Sequence, residues 1–145
     1  MNTDPHLNKK LKAKEIPKKM LNQDAFSQWL GIEILEVEKG RCKVAMTLRK
    51  EMLNSMGKAH GGISYSLADT AFGFAANTHG KFAVSIETSI NHIEALNEGD
   101  YLTAESVIEK VNTKLGFNIV EVKRGDELVA LFKGVVYRTA KDWEN

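Results

Sequence analysis

The rhythm of hydrophobic and polar positions changes several times along the chain, and each change predicts an element. From Arg41 the alternation is strict, with Cys42, Val44, Met46 and Leu48 on one face and Arg41, Lys43, Thr47 and Arg49 on the other. That is the period of a half-buried antiparallel strand, and Ile32 to Lys39, ending at Gly40, reads as its neighbour. Upstream, Asn22 to Leu30 predicts a short helix. Asn22 or Asp24 would cap it, Ala25, Phe26, Trp29 and Leu30 would form its apolar face, and Gly31 would stop it. So short a helix is unstable alone and is expected to dock that face on the body. Between Lys58 and Lys81 the only formal charge is Asp69, set among Ile63, Leu67, Ala68, Ala71, Phe72, Phe74, Ala75 and Ala76. This spacing predicts a helix from about Gly61 to Asn77, apolar on nearly every side and therefore buried. After His79-Gly80 the pattern returns to strands. Phe82 to Ile93 sets Val84, Ile86 and Ile90 opposite Ser85, Glu87, Ser89 and Asn91, and Tyr101 to Val111, Phe117 to Lys123 and Leu128 to Tyr137 follow. Gly99-Asp100 and Gly125-Asp126 supply turns between them. The implied architecture is α+β, an antiparallel β-sheet wrapped around one long central helix.

Composition adds boundaries to this picture. At 145 residues the chain suffices for one domain with a proper core, and a net charge of +1 argues against wholesale nucleic-acid binding. Residues 1–20 hold six lysines against Asp4 and Glu15. Pro17 limits a continuous helix there, and no aromatic residue occurs before Phe26. We therefore read 1–20 as a basic, partly mobile tail, solvated rather than a nucleic-acid or membrane arm, preceding a domain over 21–145 whose last residues, after Arg138, are polar. Cys42 is the single cysteine, so no internal disulfide is available, and its place on the apolar face makes it core rather than nucleophile. No apolar run reaches membrane-spanning length and no signal-peptide core follows the charged N-terminus, which makes cytoplasmic the expectation. The four histidines form no ligand-spaced cluster, so no metal is expected.

Candidate chemistry concentrates around the central helix. A carboxylate in the middle of a buried helix costs several kcal/mol in rough terms unless it is paired or hydrogen-bonded. Asp69 is thus either held by a structural network or kept for function. Just upstream, His60-Gly61-Gly62 places permissive backbone where the helix begins, with Asn54 six residues earlier. A helix start exposes unpaired N–H groups and the positive end of the dipole. Such donors, with a carboxylate two turns on, are what hydrolysis of an activated carbonyl needs. His60 could itself act as a base oriented by Asp69, or bond locally as a helix-start residue.

These motifs carry a family resemblance. Asn54-x-x-Gly57-x-x-His60-Gly61-Gly62 followed by Leu67-Ala68-Asp69-Thr70-Ala71-Phe72, with Trp29-Leu30-Gly31, Glu98-Gly99-Asp100 and Val129 to Gly134 in support, is similar to hotdog-fold acyl-CoA thioesterases of the PaaI-like (phenylacetate-degradation) branch. The similarity runs from Asp24 to Arg138. It implies a hotdog fold and hydrolysis of acyl-CoA thioesters, with Asp69 as general base or nucleophile and the Gly61 N–H polarising the carbonyl. Asn54 and His60 would help position water or substrate, and Ser85 would stand near the attacking water. The resemblance further implies no cofactor beyond the coenzyme A of the substrate, and a dimer of dimers with each active site built across an interface. Gly62 is expected to contact substrate. Met52, Leu53 or Met56 would line the acyl pocket, with methionine tolerating varied acyl shapes. Lys81 and Lys114, with Lys110 and Arg138, are candidates for the coenzyme A phosphates. A small aromatic or medium-chain acyl group fits this reading. A hotdog hydratase or dehydratase and a non-catalytic acyl-CoA sensor are the alternatives. The former uses a different catalytic pattern, and residues 1–31 are too short for a convincing DNA-binding motif.

Overall fold

The computed structural model describes residues 9–144. Strands β1 (Glu33–Glu38) and β2 (Arg41–Thr47) precede the long helix α3 (Gly61–Asn77), and β3 (Lys81–His92), β4 (Tyr101–Val111), β5 (Leu115–Arg124) and β6 (Glu127–Asp142) follow it. All pair antiparallel in one six-stranded sheet of order β1-β2-β4-β5-β6-β3, which curls around α3. The central helix and the β2 alternation fall where the pattern predicts. Cys42, Val44, Met46 and Leu48 are all buried against α3 and its neighbours. Burial pushes the Cys42 thiol up to about 12, so it stays protonated and packs as core. Gly134 on β6 lets the helix approach: a Cβ there would stand 2.6 Å from the Phe72 ring.

Four features differ from the sequence reading. The helix predicted over Asn22 to Leu30 is α2 (Ala25–Leu30), and a second helix, α1 (Ile16–Asn22), precedes it within the stretch read as tail. Of the two expected caps it is Asp24 that serves, its carboxylate accepting from Ser27 N at 2.9 Å and from Ser27 Oγ at 2.5 Å, while Asn22 ends α1. Leu30 is buried, but Phe26 and Trp29 remain about half exposed and stack on each other instead of docking inward. The Arg49 guanidinium holds the end of α2, donating to the Trp29 and Leu30 carbonyls.

The basic tail is shorter than expected, and its residues 1–8 lie outside the described residues. Ile16 and Pro17 are buried, and Pro17 opens α1 because the first helical turn has no N–H partner for it to lose. Lysines on the other positions keep the segment polar in composition while two apolar residues anchor it.

The chain after Arg138 is also more structured than its polarity suggests. β6 runs on to Asp142, and Trp143 packs on Phe82 with ring centroids 4.0 Å apart. Leu11 N donates to the Trp143 carbonyl, so the two ends of the described chain are pinned together.

Finally, β3 is an edge strand with an irregularity between Ser85 and Glu87. Directly paired residues share a face of the sheet. Thr88 pairs with Gly134 and Ile90 with Phe132, on the helix side. Because Ile86 is the extra residue of a bulge, Ser85 pairs with buried Val136 and so joins that same side. The predicted alternation of Val84, Ile86 and Ile90 against Ser85 therefore breaks at the bulge, and Val84 and Ile86 are 53% and 59% exposed.

Candidate active site

The loop before α3 is built by Asn54. Its side-chain oxygen accepts from Met56 N at 2.9 Å and Lys58 N at 3.1 Å, and its own N–H donates to the Lys58 carbonyl. Gly57, at φ 74°, supplies the left-handed turn that this tight loop requires. The Asn54 amide nitrogen is left without a bond among the described residues. Met56, at the loop tip, is 79% exposed. The loop is then stitched to the body by Ala59 N to the Leu96 carbonyl and His60 N to the Met52 carbonyl, each at 2.8 Å.

His60 is the N-cap of α3. Its Nδ1 accepts from Gly62 N at 2.9 Å, which satisfies one of the orphan donors of the helix start. The ring thus bonds locally, and no hydrogen bond joins it to Asp69. Ile63 N is also satisfied, by the His60 carbonyl. Gly61 N–H has no partner among the described residues. Of the first helical donors, this one is left free at the positive end of a 17-residue helix.

Asp69 lies about two turns further along α3. It is partly buried, and no side chain or backbone group among the described residues bonds its carboxylate. Burial pushes its pKa above the ordinary carboxylate range. It opens onto a cavity of about 220 Å³ whose walls include Met20, Phe26, Ser27, Thr70 and Phe74. A second cavity, of about 390 Å³, lies against the helix start and is lined by Met52, Leu53, His60, Gly62 and Ile63. Phe26 and Ser66 line both, so the two hollows adjoin. Depressions of about 330 and 360 Å³ on the strands reach neither Asp69 nor any other α3 residue.

The fold therefore gathers Asn54, His60, Gly61 and Gly62 at one end of α3, with Asp69 at its middle. Ser85 faces the helix side of the exposed β3 edge. Lys81 and Lys114 belong to the opposite end: Lys81 pairs with Asp142 at 2.6 Å, and Lys114 accepts from Arg138 N through its carbonyl. Sequence reasoning missed His92, whose Nδ1 lies 3.2 Å from Ser64 Oγ and whose ring covers Gly61. Only the fold brings these together. It also missed Asp24, Ser27 and Thr70 as lining near Asp69; Ser27 Oγ is 3.3 Å from Thr70 Oγ1. Among the described residues no group of three His, Cys, Asp or Glu side chains is placed to hold a metal, and no helix is long and apolar enough to cross a membrane.

Residues 56–131, which carry this helix and most of the sheet, match the family model of the thioesterase superfamily. The chain belongs to that superfamily. A protein of Archaeoglobus fulgidus is 42% identical over 86% of this chain and 81% of its own. The acyl-coenzyme A thioesterase PaaI of Escherichia coli is 37% identical over 82% of this chain and 86% of its own. The solved structure of that E. coli protein superimposes with a TM-score of 0.88, covering 90% of this chain and 96% of the other at 33% identity. A Streptococcus mutans protein solved with acetyl-CoA bound has a TM-score of 0.74 at 26% identity, over 77% of this chain and 90% of its own. The protein is a PaaI-like thioester hydrolase with the hotdog fold.

Proposed function

We propose that this thioesterase hydrolyses acyl-CoA esters at a site shared by two copies of the chain. The observation that carries the proposal is the pair of unsatisfied groups on α3, the Gly61 N–H and the Asp69 carboxylate. Eight residues of helix separate them by about 12 Å, so one copy's Asp69 cannot serve the carbonyl held by its own Gly61. A second copy, packed along the unpaired β3 edge where Val84 and Ile86 stand exposed, supplies the missing carboxylate. Pairing of such dimers into a tetramer completes the reading, and the half-exposed Phe117 and Tyr137 on the outer sheet face favour it.

In this site Asp69 takes a proton from water as the water oxygen bonds to the thioester carbon. The carbonyl oxygen becomes an oxyanion against the Gly61 N–H. The C–S bond then breaks, the carboxylic acid forms, and the thiolate of coenzyme A leaves and takes up a proton. A depleted water shell keeps Asp69 basic, which suits this role. Asn54 contributes its free amide N–H groups, His60 orders the helix start, and Ser85 stands near the water. Protein groups alone carry every step. The acyl group is a small aromatic or medium-chain one, matched to hollows of about 220 and 390 Å³ bounded by Phe26, Ile63 and Phe74. Lys81 and Lys114 lie at the far end of α3 and so hold coenzyme A phosphates only for another copy's site.

Mixing two inactive variants tests this. If Gly61→Pro and Asp69→Asn chains are unfolded and refolded together, mixed dimers contain one intact site, and up to about a quarter of wild-type turnover returns. Recovery of none, with mixed dimers present by mass, would show that each chain builds its site alone. A single turnover in ¹⁸O-water identifies a nucleophilic route in which water opens the anhydride at the Asp69 carbon, since only that route leaves ¹⁸O in Asp69.

A further inference from the structure

One side chain packed against Gly61 is given no role by either the motif or the family match. His92 is near the end of β3 and pairs with Ala130, so its ring lies on the helix side of the sheet. A Cβ built on Gly61 would stand 3.1 Å from His92 Nε2. In a helix both the Cβ direction and the N–H bond tilt towards the N-terminus. His92 Nε2 therefore borders the same small volume that the Gly61 N–H points into. On its other side the ring is held by Ser64, which is 2% exposed and whose Oγ lies 3.2 Å from His92 Nδ1. The same hydroxyl can instead donate to the Gly61 carbonyl, also at 3.2 Å. That carbonyl already accepts the helical bond from the residue four further on, so its claim on the single hydroxyl proton is the weaker of the two.

We propose that His92 is a second donor to the thioester carbonyl, its Nε2–H placed beside the Gly61 N–H and its tautomer fixed by Ser64. The hydroxyl of Ser64 donates to Nδ1, which leaves the proton of the neutral ring on Nε2. As the carbonyl oxygen gains charge it then meets two donors, one backbone and one side chain, neither of which must reorient. The arrangement is also specific in direction. Ser64 is one turn along α3 from Gly61, so the helix that supplies the first donor positions the second. The inference rests on hydrolysis taking place at Gly61, as argued above, and adds to it a residue from a different element.

The test combines tautomer and kinetics on the full chain. Long-range ¹H–¹⁵N spectra of the labelled protein should show His92 as the Nε2–H tautomer, and Ser64→Ala should abolish that preference. His92→Phe, which keeps a flat ring without a donor, should lower kcat by roughly 10- to 100-fold at little change in KM. His92→Gln, whose amide nitrogen can reach the place of Nε2, should recover most of the loss. An Nδ1–H tautomer in the wild type, or an undiminished kcat in His92→Phe, would overturn the role of His92 and leave hydrolysis at Gly61 standing. Failure of the wild-type protein to release thiol from any CoA ester would overturn both.

Discussion

The two ends of α3 contrast in how their polar groups are used. At the C-terminal end Asn77 and Thr78 are fully used. Asn77 donates to the Gly73 carbonyl at 2.7 Å and to the Ala83 carbonyl at 3.1 Å, and accepts from Ala83 N at 2.9 Å and Trp143 Nε1 at 2.8 Å. Thr78 next to it accepts from Gly40 N and donates to the Ala75 carbonyl. From Gly61 to Asp69 the same helix leaves an N–H and a carboxylate unspent. Both ends hold buried or partly buried polar groups, and desolvating such groups without partners costs stability at either place. Asn77 and Thr78 recover that cost within the fold. The other end recovers it only when a substrate arrives. Lack of a partner alone does not mark function, since His79 Nε2, Asn118 Oδ1 and Arg138 Nε are also buried without one; an N–H and a carboxylate left unpartnered beside adjoining hollows are the better mark.

Substitutions at the two ends should fail in different ways. The largest effect is expected at Asp69→Asn, with kcat reduced by about 10³-fold, within the range of a lost acid–base group. The folded state should be as stable as wild type or more so, because a desolvated charge has been removed. Wild-type turnover in this variant would make Asp69 structural and erase the contrast. Next comes Gly61→Pro, which deletes one N–H at a position where a helix accepts proline. His60 already has the extended backbone, at ψ 136°, that a residue before proline adopts. We expect a loss of about 100-fold in kcat with the helix content by circular dichroism retained.

Asn77→Ala should behave in the opposite sense. It strands Trp143 Nε1 and Ala83 N together and is expected to cost about 2–3 kcal/mol in denaturant unfolding. The kcat per folded molecule should be unchanged. A large loss of kcat at full folding would show that the two ends are coupled.

The smallest effect concerns pH. Burial raises the Asp69 pKa, so the folded state binds this proton more readily than the unfolded chain does. Its favourable contribution is present below the ordinary carboxylate pKa and is lost as pH rises through the folded value. The stability gained by Asp69→Asn should accordingly appear near neutral pH and vanish in acid. The acid limb of kcat should lie above the ordinary carboxylate range, because the reaction uses the ionised form. Melting curves of both proteins across pH, beside a rate profile, check the two signs.

How much of this was legible in the sequence follows from the range of each interaction. The limits of α3 and the inward face of β2 could be read because their periodicity is local and runs over many residues. Asp69 and Gly61 could be singled out because their neighbours are conspicuously apolar or small. Ile16 and Trp143 were masked: each is an isolated apolar anchor in a polar stretch, and its burial depends on a partner far along the chain. Phe26 and Trp29 misled in the other direction, since helical spacing marks a face without saying whether anything covers it. His92 was invisible for a related reason. It lies twenty-eight positions after Ser64, and only the return of β3 across the helix start brings its ring nitrogen to 3.2 Å from the Ser64 hydroxyl.

The bulge at Ile86 makes β3 sensitive to chain length in a way that no side-chain comparison would reveal. Ser85 pairs with Val136 and Glu87 with Val135, so Ile86 is a residue that the ladder does not count, and removing it would leave both pairs and both facings in place. From Glu87 to His92 every residue has its own partner, and losing one of them, Ser89 for instance, would put the strand before it out of phase, much as a frameshift displaces every later codon. A one-residue deletion should therefore be tolerated at Ile86 and damaging three positions further on, and natural variation in this strand should change length only at the bulge.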